Sequence, residues 1–226
     1  MDTIKIVKIK EDITSRNNAQ AKFIRENLQK QGIFYLNVMS SPGSGKTTLL
    51  TKLINILKND FKIGVIEADI DSKVDAETIH NATGVKVIQM HTMGACHVTC
   101  QMSNDALNSL GIEGLDLVIL ENIGNLVCPA EFDTGATKNL VLLSVPEGDD
   151  KPNKYPAMFK VADDVVITKT DALEVFDFDI NRAKENILRR NPNAKIFTVS
   201  ALQDENIDKL AFYLRQEILN AKKSAE

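Results

Sequence analysis

Along the chain, short continuous apolar runs alternate with longer stretches in which apolar residues recur at a helical period. The stretch "AQAKFIRENLQKQG" sets Ala21, Phe23, Ile24 and Leu28 on roughly one face and stops at Gly32, which predicts a leading helix over about 12–31. "IFYLNVMS" then reads as a buried strand. A glycine-rich turn follows, and "KTTLLTKLINILKND" predicts a helix with apolar positions 49, 50, 53, 54 and 57. "KIGVIEAD" and "VKVIQM" predict two more strands. "LDLVILEN", "NLVLLSV" and "DVVITKT" are continuous apolar runs of the kind expected when helices cover both faces of a sheet, and "IFTVSAL" ends a further strand. "HVTCQMSNDALNSLG", "DINRAKENILRRNP" and "IDKLAFYLRQEILNAKK" predict intervening and closing helices.

This alternation predicts an α/β fold, a doubly wound and mostly parallel sheet flanked by helices, with ligands gathered at strand carboxyl ends. A chain of 226 residues with a 43 % hydrophobic share suits one core, so residues 1–226 are expected to form one domain. The Pro- and Asp-rich piece "PEGDDKPNKYP" at 146–156 predicts a surface loop, since a strand of the same sheet type follows it.

A formal net charge of -4 argues against a general binder of nucleic acid or membrane surfaces. No apolar run has signal-peptide or membrane-span length, which gives a cytoplasmic expectation. Three cysteines, an odd number, favour packing, metal or redox roles over a disulfide framework.

The turn "SSPGSGKTT" lies between a strand and a helix. It matches a phosphate-binding P-loop at Gly45, Lys46 and Thr47, with Ser40 where the first glycine usually stands. Gly43 and Gly45 allow close approach of backbone N–H groups, Ser44 and Thr48 complete the cradle, Lys46 suits the β- and γ-phosphates, and the Thr47 hydroxyl suits Mg²⁺. Strand, glycines, lysine and helix in register set this apart from an ordinary turn.

Acidic residues follow two strands. "IEADIDSKVDAE" supplies Asp69, Asp71 and Asp75, and "ILENIG" supplies Glu121. Carboxylates at the tips of strands beside a P-loop suit a Mg²⁺ ion that offsets triphosphate charge, which makes Asp69 and Glu121 the expected ligands. Asp75 is the expected water-positioning group; helix capping or solvated charge serves equally for Asp71 and Asp75. "DVVITKTDAL" puts Lys169 and Asp171 just beyond a strand, with Ser200 and Ala201 in a similar place. An aspartate accepts both the ring N–H and the exocyclic amine of guanine. The stretch looks like the Asn-Lys-x-Asp motif of GTPases with Thr168 in place of Asn, so GTP is the expected substrate.

"GACHVTC" supplies Cys96, His97 and Cys100, and "NLVCPAEFD" supplies Cys128. Thiolate and imidazole suit Zn²⁺ and Ni²⁺, whereas buried cysteines that only pack are the plainer alternative. Adjacent Cys96 and His97 reach one small ion only from a loop leading into a helix.

Taken together, "SSPGSGKTT", the Cys-His pair after a strand and "ENIGNLVCPAEFD" resemble the hydrogenase nickel-incorporation GTPases, P-loop proteins of the SIMIBI class, over nearly the whole chain. The resemblance implies a Mg²⁺-dependent GTPase that carries nickel during [NiFe]-hydrogenase maturation. It also implies a Ni²⁺ or Zn²⁺ site of Cys96, His97 and Cys128 at a nucleotide-dependent homodimer interface, with Cys100 extra. Other nickel chaperones and the hydrogenase large-subunit precursor are the implied partners. The urease-type accessory GTPases differ in carrying Cys-Pro-His and Glu-Ser-Gly-Gly where this chain reads "ACH" and "ENIGN". The remaining rivals are a P-loop protein with a structural zinc site and a small-molecule kinase, and the chain shows no Arg-rich lid of the kind a kinase carries.

Overall fold

The computed structural model describes residues 9–70 and 73–225; Asp71 therefore lies outside the described residues. Helix α1 (Ile9–Lys30) leads into strand β1 (Phe34–Ser40), helix α2 (Lys46–Leu57), strand β2 (Ile63–Asp69), helix α3 (Val74–Thr83) and strand β3 (Lys86–His91). Helix α4 (Cys100–Leu110), strand β4 (Leu117–Gly124) and strand β5 (Lys138–Ser144) follow. The short helices α5 (Lys151–Lys154) and α6 (Pro156–Val161), strand β6 (Asp164–Thr168), helix α7 (Ile180–Arg190), strand β7 (Lys195–Thr198) and helix α8 (Ile207–Lys223) complete the order.

The strands form one sheet in the order β3-β2-β4-β1-β5-β6-β7. Every pairing is parallel, as expected from the apolar runs. Side chains alternate between two faces. Val65, Leu36, Ile119 and Leu142 meet Leu49, Leu53 and Leu57 of α2 and Leu210 and Leu214 of α8. On the other face, Tyr35, Val118 and Leu120 meet Ala21, Ile24 and Leu28 of α1 and Leu107 of α4, while Val141 and Val165 meet Phe159 and Ile187. No described helix is long and apolar enough to cross a membrane.

Two predicted details differ. Phe23 is 71 % exposed rather than part of the α1 core stripe, because at 100° per residue the buried line runs through Asn17, Ala21, Ile24 and Leu28. The piece at 146–156 is a folded corner, not a plain loop. A capping box joins Ser144 to Glu147, α5 buries Pro152, and Arg182 grips the buried Asp149 with Nε at 2.8 Å and Nη2 at 2.6 Å. Helix α3 is foreshadowed in the sequence only by the capping alternative for Asp71 and Asp75; its apolar face is short, with only Ala76 and Ile79 buried besides Thr83.

A row of amides crosses the middle of the sheet. Asn122 Nδ2 donates to Asn37 Oδ1 at 3.0 Å, and Asn37 Nδ2 donates to Asn139 Oδ1 at 2.8 Å. Asn37 and Asn139 are register partners on β1 and β5.

Candidate nucleotide and metal site

The phosphate loop runs from the end of β1 into α2. Gly43 and Gly45 have φ of 72° and 92°, a left-handed backbone that favours glycine, and Gly45 caps α2 directly. The amino end of α2 therefore opens onto the loop with its first N–H groups unpaired within the helix. Ser40 is fully buried where a glycine usually stands, and its Oγ receives Lys46 Nζ at 3.0 Å and Ser44 Oγ at 2.5 Å. The serine thus anchors the lysine and the loop together.

Two residues of β6 and its exit hold the loop from the other side. Thr168 Oγ1 donates to Ser44 O at 2.8 Å, and Lys169 Nζ donates to Gly43 O at 2.7 Å. Thr168, which replaces Asn in the guanine motif, is buried and spent on the loop backbone. Just beyond, Ser200 Oγ donates to Asp171 Oδ1 at 2.5 Å and accepts from Gln203 N at 3.1 Å, which orients the carboxylate. A cleft of about 430 Å³ is lined by Thr48, Lys169, Asp171, Ala201 and Leu202, with the rim residue Leu202 79 % exposed. Apolar Ala201 and Leu202 beside the Asp171 carboxylate suit a base.

A second cleft, of about 630 Å³, joins Lys46, Thr47 and Thr48 to Glu67, Asp69, Asp75 and Glu121. Glu67 and Glu121 are register partners on β2 and β4, so both side chains rise on the α2 face. Thr47 Oγ1 donates to Glu121 Oε1 at 2.9 Å. The Oε2 atoms of Glu67 and Glu121 are buried and find no hydrogen-bond donor among the described residues. Burial pushes the Glu67 carboxyl up to about 9, with Glu121 and Asp75 adding repulsion. It pushes Glu121 up to about 7, against the pull of Lys46 and Thr47. Glu67, Asp75 and Glu121 each bring an oxygen within 4.8 Å of the others. Three carboxylates brought this close, two of them with a buried and donorless oxygen, fit a divalent cation. Asp69 lines the same cleft outside this trio, and its carbonyl accepts Thr92 N at 3.0 Å. Sequence reasoning passed over Glu67, although strand alternation puts residues 67 and 69 on one face.

The sulfur and imidazole donors sit on the loops after β3 and β4. Helix α4 starts at Cys100, where the Thr99 hydroxyl accepts Met102 N, so Cys96 and His97 precede the helix. That frees both to turn toward Cys128. Cys96 Sγ lies 2.8 Å from Cys128 Sγ and 3.7 Å from His97 Nδ1. The His97 ring stacks on Phe132 at 3.8 Å. Burial holds its pKa below the ordinary imidazole value, with Glu131 opposing, which favours the neutral ring that ligates metals. The hydrogen bond to Cys128 raises the Cys96 thiol. Cys100 is apart from this trio. It is buried, its thiol is pushed up to about 11 by burial, and its backbone N–H bonds Asn17. His80 and His91 are both exposed, and the His80 ring meets Val85 O at 2.9 Å.

A family model described as "CobW/HypB/UreG, nucleotide-binding domain" matches residues 34–198. The hydrogenase/urease maturation factor HypB of Helicobacter pylori is 43 % identical over 217 residues, covering 94 % of this chain and 88 % of that protein. The chain belongs to the HypB branch of the CobW/HypB/UreG family. Two solved HypB structures agree in fold. The Helicobacter pylori HypB crystal structure in complex with nickel superposes with a TM-score of 0.84 at 41 % identity, over 91 % of this chain and 96 % of that one. The hydrogenase maturation factor HypB of Archaeoglobus fulgidus gives 0.83 at 34 % identity, over 90 % and 99 %. The phosphate loop, the carboxylate trio and Cys96, His97 and Cys128 all fall inside the span matched by the family model.

Proposed function

We propose that this HypB-family chain is a slow, Mg²⁺-dependent GTPase that carries nickel for [NiFe]-hydrogenase maturation, with its metal site completed in a GTP-dependent homodimer. The observation that carries the reading is the convergence of Cys96, His97 and Cys128 on loops leaving the same sheet edge as the phosphate-loop carboxylates. The Helicobacter pylori relative seen with nickel supports the choice of cargo.

In this reading Gly43, Ser44, Gly45 and Thr48 cradle the phosphates, and Lys46 moves from Ser40 Oγ to the β- and γ-phosphate oxygens. Asp171, steadied by Ser200 and flanked by Lys169 and Ala201, accepts the guanine ring N–H and amine. Thr47, Glu67 and Glu121 hold Mg²⁺, with Asp69 at the rim; the ion supplies charge neutralisation at the γ-phosphate. Asp75, at the start of α3, orients the attacking water. Three donors leave a four-coordinate Ni²⁺ or Zn²⁺ incompletely held, and Cys96 is exposed, so a second copy can supply the rest. The other nickel chaperones and the hydrogenase precursor are the proposed partners, in the cytoplasm. A second recipient is favoured by one observation: the Helicobacter pylori relative is named for urease as well as hydrogenase.

The deciding experiment is light scattering across GTP analogue, GDP and Ni²⁺, with nickel measured in parallel by equilibrium dialysis. A dimer that forms with GTP analogue and binds Ni²⁺ more tightly than the GDP form supports the reading, and Cys128→Ala should then lose nickel while the monomer keeps its nucleotide affinity. Metal affinity indifferent to nucleotide points instead to a structural zinc site.

A further inference from the structure

The donors reach one another from two separate loops. On the solvent side, Asn125 Nδ2 donates to Cys96 O at 3.2 Å. The buried connection comes from elsewhere in the chain, the leading helix α1. Asn17 is 7 % exposed and sits in the stripe otherwise formed by Ala21, Ile24 and Leu28. Its Oδ1 accepts Cys100 N at 2.9 Å, three residues beyond His97. Its Nδ2 donates to Asp133 O at 2.8 Å, one residue beyond the Phe132 ring on which His97 stacks. One amide therefore bonds the backbone of both donor-bearing segments. Two turns along the same helix, Arg25 Nη2 reaches Asp133 Oδ1 at 2.6 Å and Arg25 Nε reaches Ala136 O at 2.6 Å. Asp133 Oδ1 also accepts Gly135 N at 2.9 Å, so the arginine grips a turn that is already closed.

We infer that α1 clamps the two donor loops together, and that Asn17, with Arg25 behind it, is a positioning residue for the Cys96, His97 and Cys128 trio; the inference rests on the metal-binding reading above. A helix packing only to bury area would be served by an apolar residue at 17. An amide there satisfies the buried Cys100 N–H and the part-buried Asp133 carbonyl from different segments and fixes their separation. Groups that orient ligands without touching the metal change its affinity by roughly 10- to 100-fold.

The test uses the full chain and two readouts. Phenylarsine oxide captures a close thiol pair directly: two As–S bonds form, and the oxide oxygen leaves as water with both thiol protons. Its capture rate reports the Cys96 to Cys128 spacing without any metal. Ni²⁺ affinity, by competition with a chelator, is the second readout. Asn17→Ala should slow capture and weaken Ni²⁺ binding, each by roughly 10-fold or more, while monomer affinity for a GTP analogue stays within about twofold. Asn17→Asp, which keeps an acceptor for Cys100 N but turns an oxygen toward Asp133 O, should fall between. Should Asn17→Ala fail to fold, Arg25→Lys carries the test, with an expected loss of roughly three- to tenfold on both readouts. Capture at the parental rate in the folded variants overturns the clamp, as does an equal fall in capture and nucleotide affinity. A parent chain captured by the arsenical yet indifferent to Ni²⁺ removes the metal reading, and slowed capture in Asn17→Ala then still supports the clamp.

Discussion

Glu67 shows how a single side chain can be costly in the fold and useful in the site. Its carboxyl is buried opposite Glu121, and burial first, then the charges of Glu121, Asp75 and Asp69, push its pKa from 4.5 up to about 9. The folded value lies above the unfolded one. The favourable contribution is therefore fully present below about pH 4.5 and is lost as pH rises through 9. Glu67→Gln removes that loss, so its melting temperature should exceed the parent's by roughly 5 °C at pH 8.5 and match it near pH 4.5 in metal-free buffer, as calorimetry would read. A parent-like melting temperature at both pH values would mean the carboxyl ionises without cost. The same residue marks a limit of sequence reading. Asp69 drew notice because it ends an apolar run, whereas Glu67 is enclosed by "VI" and "A" and looks like a strand position until its register partner is known. Cys96, His97 and Cys128 were easier to find, because sulfur and imidazole stand out in any context.

Among the elements, the phosphate loop is shaped by its neighbours as much as by its glycines. Thr168 and Lys169 hold its carbonyls from β6, while Gly124 at the end of β4 faces Pro42. A Cβ at Gly124 would stand 3.1 Å from Pro42 Cα, tighter than ordinary van der Waals contact and against backbone. Gly124→Ala should push the loop and weaken GTP-analogue binding by roughly tenfold, the equivalent of about 1–2 kcal/mol of overpacking. Fluorescence titration checks this, and unaltered affinity would show that Pro42 gives way freely. The strand-loop-helix order was legible from periodicity and glycine chemistry. The contact between Gly124 and Pro42 was not, since it depends on which strand lies beside β1, and that neighbour, β4, is more than seventy residues away in the chain.

For the whole molecule, parallel order and layering followed from apolar runs separated by helical periods, while the folded corner at 146–156 escaped notice because its order comes from Arg182 and Asn186 on a distant helix. Strand β4 links the carboxylate cleft to the cysteine and histidine trio: it carries Glu121 and leads within seven residues to Cys128. If nucleotide and metal share that strand's arrangement, their coupling must be reciprocal. Isothermal titrations should find that the GTP analogue tightens Ni²⁺ binding by the same factor, roughly 5- to 150-fold, as Ni²⁺ tightens the analogue. Factors of one in both directions would uncouple nucleotide from metal. The amide row through Asn122, Asn37 and Asn139 gives the sheet a safeguard of another kind. Apolar strands can slide past one another by two residues and still bury greasy side chains, but such a slip would strand these three amides at about 1–3 kcal/mol apiece. Misaligned folding intermediates are thereby penalised before any ligand arrives, and the alignment of the chemistry is guarded from within the sheet.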